Sequence, residues 1–450
     1  MPDNPPDLAA RVTELRRQGV VGVTIVWADN NGIPRSRTVP IAALEQVAER
    51  GVGVTAVFPV FDSHDGITFA YEGLSTPSGD VRLIPVVDRL VALRGQPGFA
   101  WAVGRQVAAD GTPWPYDQRS ILAGQVAAAA NRGLRIQAGW ELEFVLFPSD
   151  AGTLPASPAY SPAALLSVDE FAADLLRDLD ANGLRIGQLH AEYGPAQFEL
   201  SLAAADPLRA ADDQLLARQT IHAAARAHGL RASFAPMVTT QGAGNGWHLH
   251  SSVWRDGRNL LPGTGDHGLS PEGEGYLAGL LRELPALTAL TAPSVPSTTR
   301  LRPGAWSSAY AVWGVQNREA ALRYIPGTPL LGADQANVEL KPSDASANPY
   351  LALAGVIAAG LAGIEEKLSL PAPVQDNPGA WSAEQRAAAD VRRLPATPAE
   401  QATALESSTL LRAALGPAAY GAFRAVRDAD RAWAAERPAE EVVEAHLWKY

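Results

Sequence analysis

Five carboxylates and one imidazole, spread over four short motifs, have the residue types of a site for hard divalent cations. Glu141 and Glu143 lie in Gly139-Trp-Glu-Leu-Glu-Phe, and Glu192 and Glu199 in Glu192-Tyr-Gly-Pro-Ala-Gln-Phe-Glu199. His248 lies in Gly244-Asn-Gly-Trp-His-Leu-His250, and Glu339 in Asn337-Val-Glu-Leu-Lys341. That is too many ligands for one such cation and about right for two, so a pair of Mg²⁺ or Mn²⁺ ions is the simplest explanation if the six converge. Without cations, carboxylates bunched in an interior would repel one another and protonate. A cationic set follows later in the chain: Arg300, Arg302, Arg318, Arg323 and Lys341. Guanidinium forks on phosphate oxygens neutralise the charge that builds up during phosphoryl transfer. Any one of these arginines taken alone reads better as a surface charge in an Arg-rich chain. The Pro-Gly of Arg300-Leu-Arg-Pro-Gly-Ala-Trp306 suits a loop that closes over a site.

The elements that must hold these groups are mostly strands. Glu141 and Glu143 lie two apart on a strand predicted over 134–147, so both share one face while Trp140, Leu142 and Phe144 take the other. A Glu-x-Glu pair is usually a solvated face, but the apolar flanks here predict a largely buried strand, where a carboxylate pair needs a cation or a proton. Glu192 and Glu199 bracket the turn Gly194-Pro195 between strands predicted at 186–192 and 197–202. His248 and His250 share a face of a strand predicted over 247–254. Gly244 and Gly246 just before it allow close approach of a ligand to the backbone. A lone histidine is more often structural than a ligand.

Further strands are predicted at 20–27, 35–39, 81–85, 101–107 and 232–238. Asp29-Asn-Asn-Gly32 is a hairpin signal. Helices are predicted over 41–50, 117–132 and 206–229. Another opens at the capping box Ser167-Val-Asp-Glu170 and stops at Asn182-Gly183. A long apolar helix is predicted from the 350s to 368, and the last hundred residues read as helical. Residues 58–79 are loop-like, 370–400 a connector, and 1–8 a frayed polar end.

The bulk composition excludes several classes. A net charge of −11 argues against non-specific nucleic-acid binding, which needs a basic face. The chain has no cysteine, which removes disulfides, thiolate metal sites and Cys nucleophiles. No apolar stretch reads as a membrane span, and the start, Met1-Pro-Asp-Asn-Pro-Pro-Asp7, has no signal-peptide pattern. The expectation is a cytoplasmic globular enzyme.

Taken together and in this order, the motifs resemble the glutamine synthetase family in its bacterial class I form. The resemblance runs from about Val20 to Tyr450 and includes Arg300-Leu-Arg-Pro-Gly, Asn317-Arg-Glu-Ala-Ala-Leu-Arg323 and Val338-Glu-Leu-Lys-Pro with Ala347-Asn-Pro-Tyr350. It implies an α+β fold: a small N-terminal β-grasp domain over 1–108, then a catalytic domain over 109–450 whose antiparallel sheet forms an open funnel, with a helical C-terminus. It implies that Glu143, Glu192 and Glu199 hold one metal, and that Glu141, His248 and Glu339 hold the other beside the nucleotide phosphates. Arg318 and Arg323 resemble the phosphate-stabilising arginines. Arg300 and Gly244 resemble glutamate-binding groups, and Ser252 a nucleotide contact. The implied reaction activates the γ-carboxylate of glutamate with ATP, and an amine then attacks the acyl phosphate. A dodecamer of two hexameric rings, with active sites between subunits, is also implied.

The departures bear on the acceptor. Ammonia-using members carry a glutamate on the closing loop where this chain has Trp306. An indole offers apolar surface and a cation–π face, which suits an amine with a carbon skeleton. The first-domain carboxylate that a neighbouring subunit supplies in the family aligns with either Asp62 or Asp65. Lys341 stands for an arginine near the glutamate carboxylate and loses its bidentate fork. Asn337 stands for a nucleotide-side arginine, Ala243 for an asparagine and Arg392 for the adenylylation tyrosine. The expectation is therefore a γ-glutamyl-amide ligase for ethanolamine, a polyamine or another amine. The alternatives are a true glutamine synthetase using ammonium and an inactive structural or regulatory member.

Overall fold

The hairpin predicted at Asp29–Gly32 is present in the computed structural model, which describes residues 7–150 and 152–450. Strand β1 (Gly22–Ala28) pairs antiparallel with β2 (Pro34–Pro40). The turn is closed by the Asp29 carboxylate, which accepts from Asn31 N at 2.8 Å and Ile33 N at 3.1 Å. Gly32 has φ +69, and a Cβ there would lie 2.5 Å from the Ala347 carbonyl, so only glycine fits. β3 (Val52–Thr55), β4 (Asp80–Pro85), β5 (Val91–Ala92) and β6 (Phe99–Ala108) complete this sheet. Its order is β2-β1-β6-β4-β3, with β5 on β6. β1 and β6 run parallel. A hairpin, then the helix Leu44–Arg50, then a strand parallel to the first is the β-grasp arrangement.

The sequence predicts a frayed start over 1–8. Residues 1–6 lie outside the described ones, and a helix begins at Leu8, capped by the Asp7 side chain. The Ser167 capping box does not form. The helix Asp169–Ala181 starts at Val168 without a side-chain cap, because the Ser167 hydroxyl donates back to Ala164 O at 2.7 Å and closes the short helix Pro162–Leu166.

The larger sheet holds β7 (Arg135–Pro148), β8 (Ile186–Ala191), β9 (Gln197–Leu202), β10 (Leu230–Ser233), β11 (Leu249–Arg255), β12 (Arg258–Asn259), β13 (Trp313–Val315), β14 (Leu322–Ile325) and β15 (Asn337–Leu340). Its order is β13-β14-β15-β11-β7-β9-β8, with β10 on β7 and β12 on β11. It is antiparallel except for the β13–β14 pair, which is parallel. One face buries Trp140, Leu142, Phe144, Phe198, Leu200, Leu249 and Leu340 in the main core. Each such side chain contributes about 1.5–3 kcal/mol. The opposite face of β7, β9, β11 and β15 carries the polar groups of the site.

Helices Gln118–Ala130, Pro207–Ala227, Pro271–Thr291 and Pro349–Glu366 contribute their apolar faces to this core. Pro271–Thr291 is not legible in the sequence, because Gly273, Gly275, Gly279 and Pro285 interrupt it. Those glycines are what let it approach Pro349–Glu366: a Cβ at Gly279 would lie 2.1 Å from Ala359 O. Pro349–Glu366 is itself long and apolar enough to cross a membrane, contrary to the sequence reading, but 83% of it is buried inside the protein. It is a core helix by position.

Candidate active site

Alternation along β7 turns Glu141 and Glu143 to the face away from Trp140, Leu142 and Phe144. Strand pairing then brings the other motifs to them. Glu143 lies opposite Glu199 on β9. β11 pairs with β7 on the other side and sets His250 opposite Glu339 on β15. Glu339 in turn lies opposite Arg323 on β14. Five segments far apart in sequence thus meet on one sheet face.

His248 is the hub. Its Nδ1 lies 3.0 Å from Glu141 Oε2 and 3.2 Å from Glu339 Oε1, and its Nε2 lies 3.9 Å from Glu143 Oε1. One ligand atom each from Glu141, Glu199 and His248 falls within a 4.8 Å spread, and so does one each from His190, Glu192 and Glu199. These spreads are of the size that a shared cation bridges. Glu143 also accepts from Gly246 N at 2.8 Å and Gln197 Nε2 at 3.1 Å.

The electrostatics divide the cluster in two. Burial and the adjacent Glu199 charge push the Glu143 carboxyl well above the ordinary range. Burial also raises Glu192. On the other side burial is outweighed. Hydrogen bonds from His248 and His250 hold Glu141 well below the ordinary range, and Lys341, His248 and His250 do the same for Glu339. The Glu143–Glu192–Glu199 half therefore sets three carboxylates against fewer positive charges, with His190 beside Glu199 and Arg300 acting on Glu143, and a divalent cation would supply the balance. Donor chemistry (oxygens plus imidazole) and buried negative charge both fit Mg²⁺ or Mn²⁺.

The basic groups occupy distinct stations. Arg323 Nη1 lies 3.0 Å from Glu339 Oε2, and Lys341 Nζ lies 3.1 Å from Glu339 Oε1. Lys341, expected at the glutamate end, is thus engaged with a metal-ligand candidate. Arg300 is buried, donates to Ser343 O at 2.8 Å, and packs its Cγ where a Gly244 Cβ would come within 2.7 Å. Gly246 is restricted similarly by His248 Nε2, at 2.7 Å from its notional Cβ. Arg318 is exposed.

Beside Glu141 opens a cavity of about 520 Å³ lined by Ser252, Asn337, His250, Arg135, Trp254 and others. Its size suits a nucleotide. Asn337 Oδ1 contacts His250 Nδ1 at 2.8 Å, and Ser252 Oγ accepts from Trp254 Nε1 at 2.8 Å.

Trp306 lies on the loop after the helix Val295–Arg300, with φ +52 and an indole that is 58% exposed. Asp62 and Asp65 lie on the loop after β3. Asp62 Oδ1 accepts from His64 N and Gly66 N, both at 2.8 Å, and Asp65 pairs with Arg35 at 2.7 Å. Among the described residues, neither bonds to any member of the cluster.

Two histidines were not assigned from sequence. His250 Nε2 lies 3.3 Å from Glu141 Oε1, and His190 Nε2 lies 3.2 Å from Glu199 Oε1. The hydrogen bond to Glu199 raises His190 to about 9. For His250 burial opposes the charge, but bonding to Glu141 outweighs it and raises the imidazole to about 9. The signal for His250 was available, since it stands two residues from His248 on the same strand face.

Residues 115–445 match the family model described as glutamine synthetase, catalytic domain. The chain is 45% identical to gamma-glutamylpolyamine synthetase GlnA3 of Streptomyces coelicolor, over 97% of this chain and 95% of that protein. It is 32% identical to glutamate–methylamine ligase of Methyloversatilis universalis, over 90% of this chain and 91% of that protein. A solved structure described as a novel glutamine synthase homolog superposes with a TM-score of 0.86 at 33% identity, covering 96% of this chain and 99% of that one.

Proposed function

The chain belongs to the glutamine synthetase family, and from that premise we propose that it is an ATP-dependent ligase joining the γ-carboxylate of glutamate to an organic amine. The single observation that carries this is the carboxylate–imidazole cluster on β7, β9, β11 and β15, buried beside a nucleotide-sized cavity. Likeness to proteins named for polyamine and methylamine acceptors supports an amine with a carbon skeleton, and so does an indole at Trp306.

The family uses divalent metals and ATP. Here Glu143, Glu192 and Glu199 would hold one Mg²⁺ or Mn²⁺, and Glu141, His248 and Glu339 the other. When bound, the pair supplies positive charge that offsets the meeting of two anions, nucleotide and glutamate. A γ-carboxylate oxygen of glutamate attacks the terminal phosphorus of ATP, and ADP leaves. The ammonium group of the acceptor first loses a proton to solvent; the amine nitrogen then attacks the acyl carbon of γ-glutamyl phosphate, phosphate leaves, and the nitrogen gives up a second proton to solvent. Arg318 and Arg323 stabilise the transferring phosphoryl group. Arg300 and Gly244 hold glutamate, and Lys341 reaches it while paired with Glu339. Ser252 and Asn337 face the nucleotide.

Trp306 covers the acceptor side, and Asp62 or Asp65 of a neighbouring subunit contributes there in a dodecamer of two rings. The β-grasp unit over 1–108 and the catalytic unit over 109–450 are two domains with a bonded seam, where Asn348 Nδ2 donates to Asp29 O at 2.9 Å. A cytoplasmic setting fits a chain without cysteine.

The test is phosphate release with ATP, Mg²⁺ and glutamate across a panel of ammonium, methylamine, ethanolamine and di- and polyamines. Turnover with one or more organic amines at far higher kcat/KM than with ammonium is the expected outcome. Turnover with ammonium alone would replace this reading with a glutamine synthetase.

A further inference from the structure

Glu319 lies four residues before Arg323, on the segment between β13 and β14. Its backbone is pinned at both ends. Its N–H donates to Asn317 Oδ1 at 3.0 Å, and its carbonyl accepts from the Ser308 hydroxyl at 3.2 Å. Asn317 is itself anchored by donating to Val374 O at 2.8 Å and Asp376 O at 3.0 Å. Two residues on, the Ala321 carbonyl accepts from Lys341 N at 3.0 Å, which ties this segment to the strand of Glu339. The Glu319 side chain is half-buried, and its Oε1 is shut off from solvent with no hydrogen-bond partner among the described residues.

A carboxylate oxygen buried without a donor is costly and calls for a reason. Nearby groups do not neutralise it. Burial pushes the Glu319 carboxyl up, opposed by the Lys341 charge and the Trp306 backbone amide, yet Lys341 is already committed to Glu339 at 3.1 Å. The surrounding backbone is held in sparsely populated conformations. Trp306, Ser308 and Gln316 have φ of +52, +67 and +56 without being glycine. Such residues gather at ligand clamps.

We propose that Glu319 is the carboxylate that binds the ammonium group of the acceptor amine, between the 302–308 loop and the Lys341 strand, once that loop lifts to open the way to its Oε1. This rests on the amine-ligase reading above. An alkylamine is a cation at neutral pH, and a charge-assisted bond to a fixed carboxylate is how a protein selects and orients one. The six ligand candidates are drawn into the cation cluster, and Glu339 is further occupied by Arg323 and Lys341. Glu319 stands outside that cluster, and its Oε1 has no donor among the described residues. The class of ligand is an alkylammonium, and a second ammonium on a longer amine would lie farther toward solvent.

The test is Glu319→Gln, which keeps an acceptor for the Trp306 amide and removes the charge. KM for the acceptor should rise roughly 10- to 100-fold, with KM for glutamate and ATP and the Tm unchanged. An unchanged acceptor KM overturns the inference, and so does an equal rise in the glutamate KM, which would show a lid-positioning role. If Glu319→Gln does not fold, Glu319→Asp is read instead: a rise confined to the acceptor KM supports the assignment, and none overturns it. The wild-type acceptor panel keeps the two readings apart. If only ammonium is used, the amine-ligase reading fails, while the Glu319 assignment is judged on the ammonium KM by the same criteria.

Discussion

Glu339 is 1% exposed on a central strand, with Arg323, Lys341 and His248 all within 3.2 Å. Trp306, on the loop that precedes β13, is 58% exposed and held at positive φ. The first position is over-determined: strand pairing, burial and three charged or ionisable neighbours fix one rotamer. The second is under-determined: its side chain makes few contacts and its backbone stores strain. A sheet floor and a loop lid divide the work accordingly. The floor must hold charge in one geometry, and rigidity there is what preorganisation means. The lid must admit, cover and release, so loose contacts and strain are tolerated. Differences in acceptor among similar chains should then lie in the lid and its neighbours, not in the floor.

The comparison predicts its largest effect at the floor. Glu339→Ala should lower kcat by on the order of 10²–10³ or more in the phosphate-release assay. It should also lower Tm, because Lys341 and Arg323 lose a buried partner. Near wild-type kcat would mean that the cluster is structural and the division into floor and lid is wrong. Metal removal acts on the same floor and is at least as large. Chelation should abolish turnover, with recovery on adding Mg²⁺ or Mn²⁺. Adding the ion back to metal-free protein should raise Tm, since it neutralises the Glu143–Glu199 repulsion in the folded state alone. A Tm indifferent to both ions would count against a cation at that half of the floor.

How much was legible in the sequence follows the same division. The floor was readable because strands repeat every two residues. Glu141 with Glu143, and His248 with His250, announce a shared face from spacing alone, and the buried flanks say which face. His190 went unassigned because β8 carries Gly187 and a register irregularity that blurs the alternation. The helix Pro271–Thr291 was missed because the glycines that allow its close packing are the residues that weaken any local helix signal. The β-grasp hairpin was plain from Asp29–Gly32, whereas the parallel β1–β6 pairing joins segments some seventy residues apart and has no local signature. Glu319 was passed over because nothing in its own neighbourhood marks it. Its free oxygen is defined by loops that meet only in the folded chain.

The smallest effects should come from Trp306, and they bear most directly on the comparison. Trp306→Gly removes an exposed indole and places at φ +52 the residue that adopts it without penalty. Tm should therefore hold or rise slightly, by the equivalent of about 1 kcal/mol or less. At the same time the ratio of kcat/KM between an organic amine and ammonium should fall several-fold, because a cation–π face is worth roughly 0.5–2 kcal/mol. Trp306→Glu should move the same ratio further toward ammonium, since a carboxylate there favours a small, strongly solvated cation. Both variants should leave the KM for ATP unchanged, because the nucleotide-sized cavity is lined from β7, β9, β11 and β15 and the turn residues beside them, not from this loop. A Tm drop of several degrees with an unaltered acceptor ratio would reverse the assignment: the loop would then be part of the scaffold, and acceptor choice would have to reside in the floor.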